Sequence, residues 1–231
     1  MNDIEVKILD HNLNGMPKFL AMLTQRGHKI TCMNDLMALY NKVINDTPSV
    51  KLLSLPHNTI NRMNYITVAI VGLSTKCVSQ LRTHATRLTF ISTSTQYSAY
   101  NKRNNNWTIP KDLKPDEEKL IKKAYKNVEV IYNDLIESGV DRDKAGYILP
   151  QGLRKALIIH GNLDAWQYVM SLRLCHRNTL ETQHVMKLLY REIEKIGKEF
   201  TTHMLPKCYY GSCKEGKFCC GEKYKLEELY K

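Results

Sequence analysis

Three stretches of the chain carry side chains that could do chemistry. Arg82, His84 and Arg87 fall close together. Such a cluster can neutralise a phosphate or pyrophosphate through charge-assisted hydrogen bonds, and it can equally be a solvated basic face. The string from Ser92 to Ser98, STSTQYS, crowds hydroxyls into a segment that is poor helix material. Hydroxyls and loose backbone N–H groups suit a phosphate or the edge of a base; a polar turn is the plainer reading. No His or carboxylate adjoins Ser94 in sequence to serve as a base, so Ser94 reads as a binding residue and not a nucleophile. Arg173, taken alone, fits a surface ion pair on a helix face. Asn162 follows Gly161 where a helix N-cap would fall. His57 has capping and surface roles open to it.

The cysteines point to no framework. Cys32, Cys77 and Cys175 lie in apolar-patterned segments and read as reduced core thiols. Cys208, Cys213, Cys219 and Cys220 crowd the C-terminal region without the paired CxxC spacing of a zinc site. No metal is expected; the tail thiols read as reduced or redox-labile.

A net charge of +11 favours anionic partners: nucleic acid, a membrane surface or phosphorylated small molecules. The aromatic residues form no RNA-binding pattern, and there is no helix-turn-helix or zinc-finger signature, so nucleic acid is the poorer reading. No apolar run approaches the roughly 18 residues of a membrane span. MNDIEVKILD is acidic and alternating, which reads as a strand and not a signal peptide. A cytoplasmic location is expected. There is no GxGxxG, so a Rossmann dinucleotide site is unsupported.

These residues must be positioned by elements. Alternation over residues 4–9 and the β-branched run at 65–71 predict strands. Helical spacing predicts helices over Met16–Arg26, Asn34–Ile44, residues 57–64 and 74–87. Pro115, followed by Asp116, Glu117 and Glu118, opens a long helix that stops near Gly139, with Leu120, Ala124, Val128, Ile131 and Leu135 on its apolar face. Residues 151–160 and 162–174 read as helical. Asn178 is placed to cap a last helix, with Glu181 following it and Leu180, Leu188, Ile193, Ile196 and Phe200 on its buried side. A mostly helical chain with a few strands is α+β.

Taken in order, several segments resemble the flavin-dependent thymidylate synthase family. PHNTINRMNYITVAIVGLSTKCVSQL (56–81) sets His57, Thr59, Ser74 and Gln80-Leu81 where the family has a Gly-His pair, a short helix, a strand, then Ser and a helix carrying Gln-Leu. RTHATRLTFISTSTQYS (82–98) follows the outline of the family's Arg-His-Arg, Ser and Arg-Tyr, with His84, Ser94 and Tyr97. YILPQGLRKALIIHGNLDAWQYVMSLRLCHRNTLETQ (147–183) carries Leu-Pro, then Asn162, Arg173, Glu181 and Gln183. The tail, with Cys220-Gly221, is similar to that of many bacterial members. The resemblance covers most of residues 50–221, and the order of the motifs makes it specific. The chain departs at Arg62-Met63, where the family has Glu-His, and at Arg82-Thr83-His84-Ala85, where its Arg-His-Arg is blurred. Gln96 and Gly146 stand where the family has arginines.

The resemblance implies one domain over residues 1–231, mostly helical with a small antiparallel sheet, and with 206–231 as a Cys-rich, charged tail. It implies conversion of dUMP to dTMP, with FAD as cofactor, NADPH as reductant and methylenetetrahydrofolate as one-carbon donor. It also implies a homotetramer whose sites lie between subunits. His57, Thr59, Arg82, Thr83, His84, Arg87 and Asn162 would hold the cofactor. Gln80, Ser92, Thr93, Ser94, Gln96 and Arg173 would hold dUMP, with Arg173 stabilising charge that develops on the pyrimidine. The departures leave a modified pyrimidine nucleotide such as hydroxymethyl-dUMP as a second product, and a non-catalytic basic nucleic-acid-binding protein as the reading from another class.

Overall fold

A computed structural model describes residues 3–46, 50–53, 58–101 and 106–230, so His57 lies outside the described residues. The sheet is built around the segment with the strongest β signal. In β2 (Tyr65–Ser74), Ile66, Val68 and Ile70 are fully buried while Tyr65, Thr67 and Ala69 are half-buried on the other face. β1 (Glu5–His11) pairs antiparallel with β2 on one side. β4 (Arg154–Asn162) pairs with β2 on the other, and β3 (Leu88–Ser92) closes the sheet beyond it, giving the order β1-β2-β4-β3. The β2–β4 register slips between Val71 and Leu73, at Gly72. Gly72 has φ +87°, and a Cβ there would come 2.4 Å from the Asp3 carbonyl oxygen, so the bulge needs a glycine.

β3 and β4 depart from the sequence reading, which left 88–91 unassigned and made 151–160 helical. In RKALIIHGN the apolar residues run too closely together to show their period. Pairing decides it: with β2 on one side and β3 on the other, Leu157 and Ile159 face the core while Ala156, Ile158 and His160 face out.

Ten α-helices are described: α1 (Met16–Arg26), α2 (Met33–Val43), α3 (Val50–Leu53), α4 (Thr59–Met63), α5 (Thr75–Arg82), α6 (Pro115–Glu137), α7 (Arg142–Gly146), α8 (Leu163–Arg173), α9 (Leu180–Ile196) and α10 (Lys207–Tyr210). Trp166, Val169 and Met170 of α8 and Val185, Met186 and Leu189 of α9 join the buried side of the sheet in one core. Trp166 also donates from Nε1 to the Ile66 carbonyl at 3.1 Å. α9 begins one residue later than expected. Thr179 is its N-cap, while Asn178 turns its amide to the Leu172 carbonyl at 2.7 Å. Its buried side is largely the expected one: Ile193 and Phe200 are buried and Leu188 and Ile196 pack against the core, while Leu180 is 47% exposed.

α6 forms where Pro115 and the three carboxylates place it, but of its expected face Leu135 packs inward while the buried stripe is turned toward Tyr125 and Tyr132. Leu120 and Ile131 are exposed; Tyr132 is buried, in a second small cluster with Tyr100, Ala145 and Leu153. Tyr125 stacks on Trp107 at 5.1 Å, so aromatic contacts and not the aliphatic stripe set the rotation of this helix. The end of the tail folds back: Tyr224 and Leu229 are buried in the main core. No helix of the described residues is long and apolar enough to cross a membrane.

Candidate active site

α5 runs from the end of β2 to the turn before β3, so its C-terminal end carries Gln80, Arg82, Thr83 and His84. Its start is locked. Ser74 caps the helix by accepting from the Cys77 N–H at 3.0 Å, and Glu181 accepts both the Ser74 N–H and O–H at 2.6 Å. Gln80 is spent similarly: its Oε1 accepts from Thr179 at 2.9 Å and Thr182 at 2.6 Å, tying α5 to α9. Burial, reinforced by Glu181, pushes the Cys77 thiol up to about 12, so it is an inert core group.

Arg173, the last residue of α8, reaches the C-terminal end of α5. Its Nε donates to His84 Nε2 at 2.8 Å and its Nη1 to Asn178 Oδ1 at 2.8 Å. Its Nη2 donates to the Gln80 carbonyl at 3.0 Å and to Thr83 Oγ1 at 2.7 Å. Four of five guanidinium hydrogens are thus committed to neutral acceptors, and one on Nη1 remains. Because His84 accepts at Nε2, its neutral form carries the proton on Nδ1. Burial, then Arg173 and Arg87, hold the His84 pKa below its ordinary value. Arg173 lines a cavity of 260 Å³ together with Cys175, Asn178, Cys208, Cys213 and Phe218, so the tail forms part of its wall.

Ser92, Thr93 and Ser94 line a different cavity, of 390 Å³, with Thr75, Arg82 and Lys155. Arg82 donates to Ser92 Oγ at 2.8 Å. Ser94 Oγ accepts from the backbone N–H groups of Gln96 at 3.0 Å and Tyr97 at 3.3 Å, so the loop is a serine-centred turn. The Gln96 side chain is exposed beside Tyr97 and Arg142, in a separate hollow. Gly146 of α7 faces the same loop: a Cβ there would lie 3.5 Å from the Thr95 Cβ.

The remaining candidates gather around a residue that sequence reasoning missed, Asp164. It receives Asn58 at 2.8 Å and Arg62 at 3.3 Å, and Arg87 stands 4.0 Å away. Arg87 also lies over the Tyr168 ring, 4.1 Å from its centroid. Asn162 is the N-cap of α8, accepting from the Ala165 N–H at 2.8 Å. Thr59 opens the short α4 nearby, at an exposed position. The sequence separation between Arg62 and Asp164 is why the pairing was invisible; the nearest signal was an acidic residue in the first turn of a capped helix. Among the described residues no three His, Cys, Asp or Glu side chains are gathered as metal ligands.

The candidates thus fall into three groups, around Arg173, along the cavity of Ser92–Ser94 and around Asp164, with Gln96 apart in its own hollow. A four-stranded antiparallel sheet backed by helices, with a cleft of cations and hydroxyls, defines an α+β protein suited to phosphorylated ligands. The chain belongs to the thymidylate synthase complementing protein family, whose model matches residues 23–197. It is similar to the flavin-dependent thymidylate synthase of Pyrococcus abyssi, 29% identical over 149 residues. That match covers 63% of this chain and 61% of the relative, so the chain spans about three fifths of that protein's length. Two solved structures share the fold. Thymidylate synthase X from Helicobacter pylori, with FAD and dUMP, has a TM-score of 0.60 at 17% identity, covering 87% of this chain and 100% of that one. The UMP/dUMP methylase PolB from Streptomyces cacaoi, bound with 5-Br dUMP, has a TM-score of 0.64 at 18% identity, covering 86% and 93%.

Proposed function

We propose that the protein is a flavin-dependent thymidylate synthase acting in the cytoplasm. It would convert dUMP to dTMP with FAD, NADPH as reductant and methylenetetrahydrofolate as one-carbon donor. The observation that carries this reading is Arg173. Methylating C5 of a uracil builds negative charge on the ring, and a fixed cation stabilises it without reorganising. Arg173 is held by His84, Thr83, Asn178 and the Gln80 carbonyl, with one N–H left for a ligand.

The residues present also fit a flavin dinucleotide. Its pyrophosphate needs a cation, and Arg82 is exposed, with the Ser92 hydroxyl its one hydrogen-bond partner among the described residues. Asn162 spends its oxygen on the helix cap and keeps its amide N–H groups for a ring edge. Arg87 is stacked and paired, so it would contribute mainly by placing Tyr168 and lowering the charge on His84. When bound, FAD supplies the hydride and one-carbon chemistry that side chains lack. Arg173 and Ser94 line different cavities of one chain. A site that holds a pyrimidine at one and a phosphate at the other is most simply completed by a second subunit, and a homotetramer would supply such shared sites.

The test gives the purified protein FAD, NADPH, methylenetetrahydrofolate and dUMP and identifies the product by mass. Formation of dTMP is expected. A hydroxymethylated nucleotide would make it a modified-pyrimidine enzyme, and failure to quench FAD fluorescence at micromolar protein would sink the flavin reading.

A further inference from the structure

Lys155 is a buried cation that the reaction outlined above does not use. It sits on β4 with 6% of its surface exposed. Its Nζ donates to the Thr93 carbonyl at 3.1 Å and to Tyr100 Oη at 3.4 Å, and lies 5.2 Å from the Tyr100 ring centroid. An ammonium has three N–H groups, so one remains. No carboxylate lies within ion-pair distance of it among the described residues. Its neighbour on the strand shows the usual solution: Arg154 pairs with Asp3 at 2.7 Å. Burying a charge among neutral acceptors is costly unless an opposite charge arrives.

The surroundings say what that charge is. Lys155 lines the same 390 Å³ cavity as Ser92, Thr93, Ser94 and Arg82. The loop from Ser92 to Tyr97 carries no charge of its own. Arg82 donates to Ser92 Oγ, which leaves the Ser92 hydroxyl hydrogen free to donate onward. Across the cavity stand an ammonium, a guanidinium and hydroxyls, with no carboxylate among the lining residues. That set suits a compact dianion with several acceptor oxygens, which a phosphate monoester is and a neutral nucleoside is not.

We propose that Lys155 binds the 5′-phosphate of the nucleotide substrate, with Ser92, Thr93 and Ser94 as neutral donors, and so selects a nucleoside monophosphate over the free nucleoside. The assignment rests on the nucleotide reading above, but phosphate binding can be measured without turnover. Lys155→Met keeps the length of the side chain and removes its charge. In calorimetric titrations of the full chain, this variant should bind dUMP about a hundredfold more weakly than the unmutated protein, the loss expected when charge-assisted bonds to a dianion disappear. Deoxyuridine binding should be unchanged, inorganic phosphate should cease to compete, and Lys155→Arg should recover most of the affinity. In the unmutated protein carrying 13C-labelled lysine, the Lys155 Cε resonance should shift on adding inorganic phosphate. If phosphate shifts that resonance and Lys155→Met abolishes phosphate binding while no dTMP forms, the phosphate site stands and the thymidylate synthase reading falls. If dTMP forms but Lys155→Met binds dUMP and phosphate within twofold of the unmutated protein, or phosphate leaves the resonance unmoved, Lys155 is only a brace for Thr93 and Tyr100.

Discussion

Arg173 and His84 act as one unit, because each fixes the state of the other. Arg173→Ala should lower kcat for dTMP formation by about 10²–10³-fold, as loss of a fixed charge stabiliser typically does, while FAD titration changes only a few-fold. The same substitution removes a cation that depresses His84, so the imidazole pKa should rise toward its ordinary value, readable by NMR. Linkage gives the pH dependence. The folded protein resists protonating His84, so unfolding takes up a proton below the unfolded value of 6.5. Stability from this residue is full above that pH, declines as pH falls to the lower folded pKa, and should decline less in Arg173→Ala. Chemical denaturation between pH 7 and pH 5 checks the sign. Gly146 offers the opposite experiment. Its Cβ position meets only Thr95, at an ordinary 3.5 Å. Gly146→Arg should add a cation beside the Ser92–Gln96 loop and lower the Kd for dUMP; an unchanged Kd would separate α7 from the site.

At the scale of elements, α5 is positioned from both ends by α8 and α9. Glu181 is the clip at its start, receiving two hydrogen bonds from the buried Ser74. Glu181→Ala should destabilise the fold by about 2–3 kcal/mol, since charge-assisted bonds are lost and a buried donor is left unpaired. Glu181→Gln, which keeps an acceptor, should cost less; equal costs in urea titrations would show that the carboxylate charge carries the whole effect and the neutral acceptor none of it. α6 illustrates a helix whose existence and rotation have separate causes. Its proline and carboxylates start it, and Tyr125 and Tyr132 decide which way it faces.

At the scale of the molecule, one face of the sheet carries the core and the other is open. Val71, 47% exposed, and Ile91, 71% exposed, share the open face by strand register. α6 leaves Leu120 and Ile131 exposed as well. Exposed apolar side chains on an open sheet face leave room for a neighbouring subunit there, and the divided candidate site calls for a neighbour of the same kind. Ile91→Glu should therefore reduce the mass measured by light scattering without changing the circular dichroism spectrum, and activity should fall with the loss of assembly. A monomeric unmutated protein that retains activity would remove the need for shared sites.

Local chemistry wrote part of this protein directly into its sequence. The start of α6 at Pro115 and the core of β2 follow from the helix dipole with its capping glutamate and from alternation, all of which act within a few residues. The family motifs likewise run in order along the chain, so Arg173, Ser94 and Asn162 were legible as candidates. Tertiary structure decided the rest. Residues 154–162 are a strand because β2 and β3 flank them. Gln80 is a tie to α9, and Asp164 collects Asn58 and Arg62 with Arg87 beside it, because the fold joins segments far apart in the chain. Lys155 shows the difference most plainly. As a letter it is one of many lysines in a basic chain; burial without a carboxylate partner, which only packing can impose, is what turns its charge into a demand for an anion.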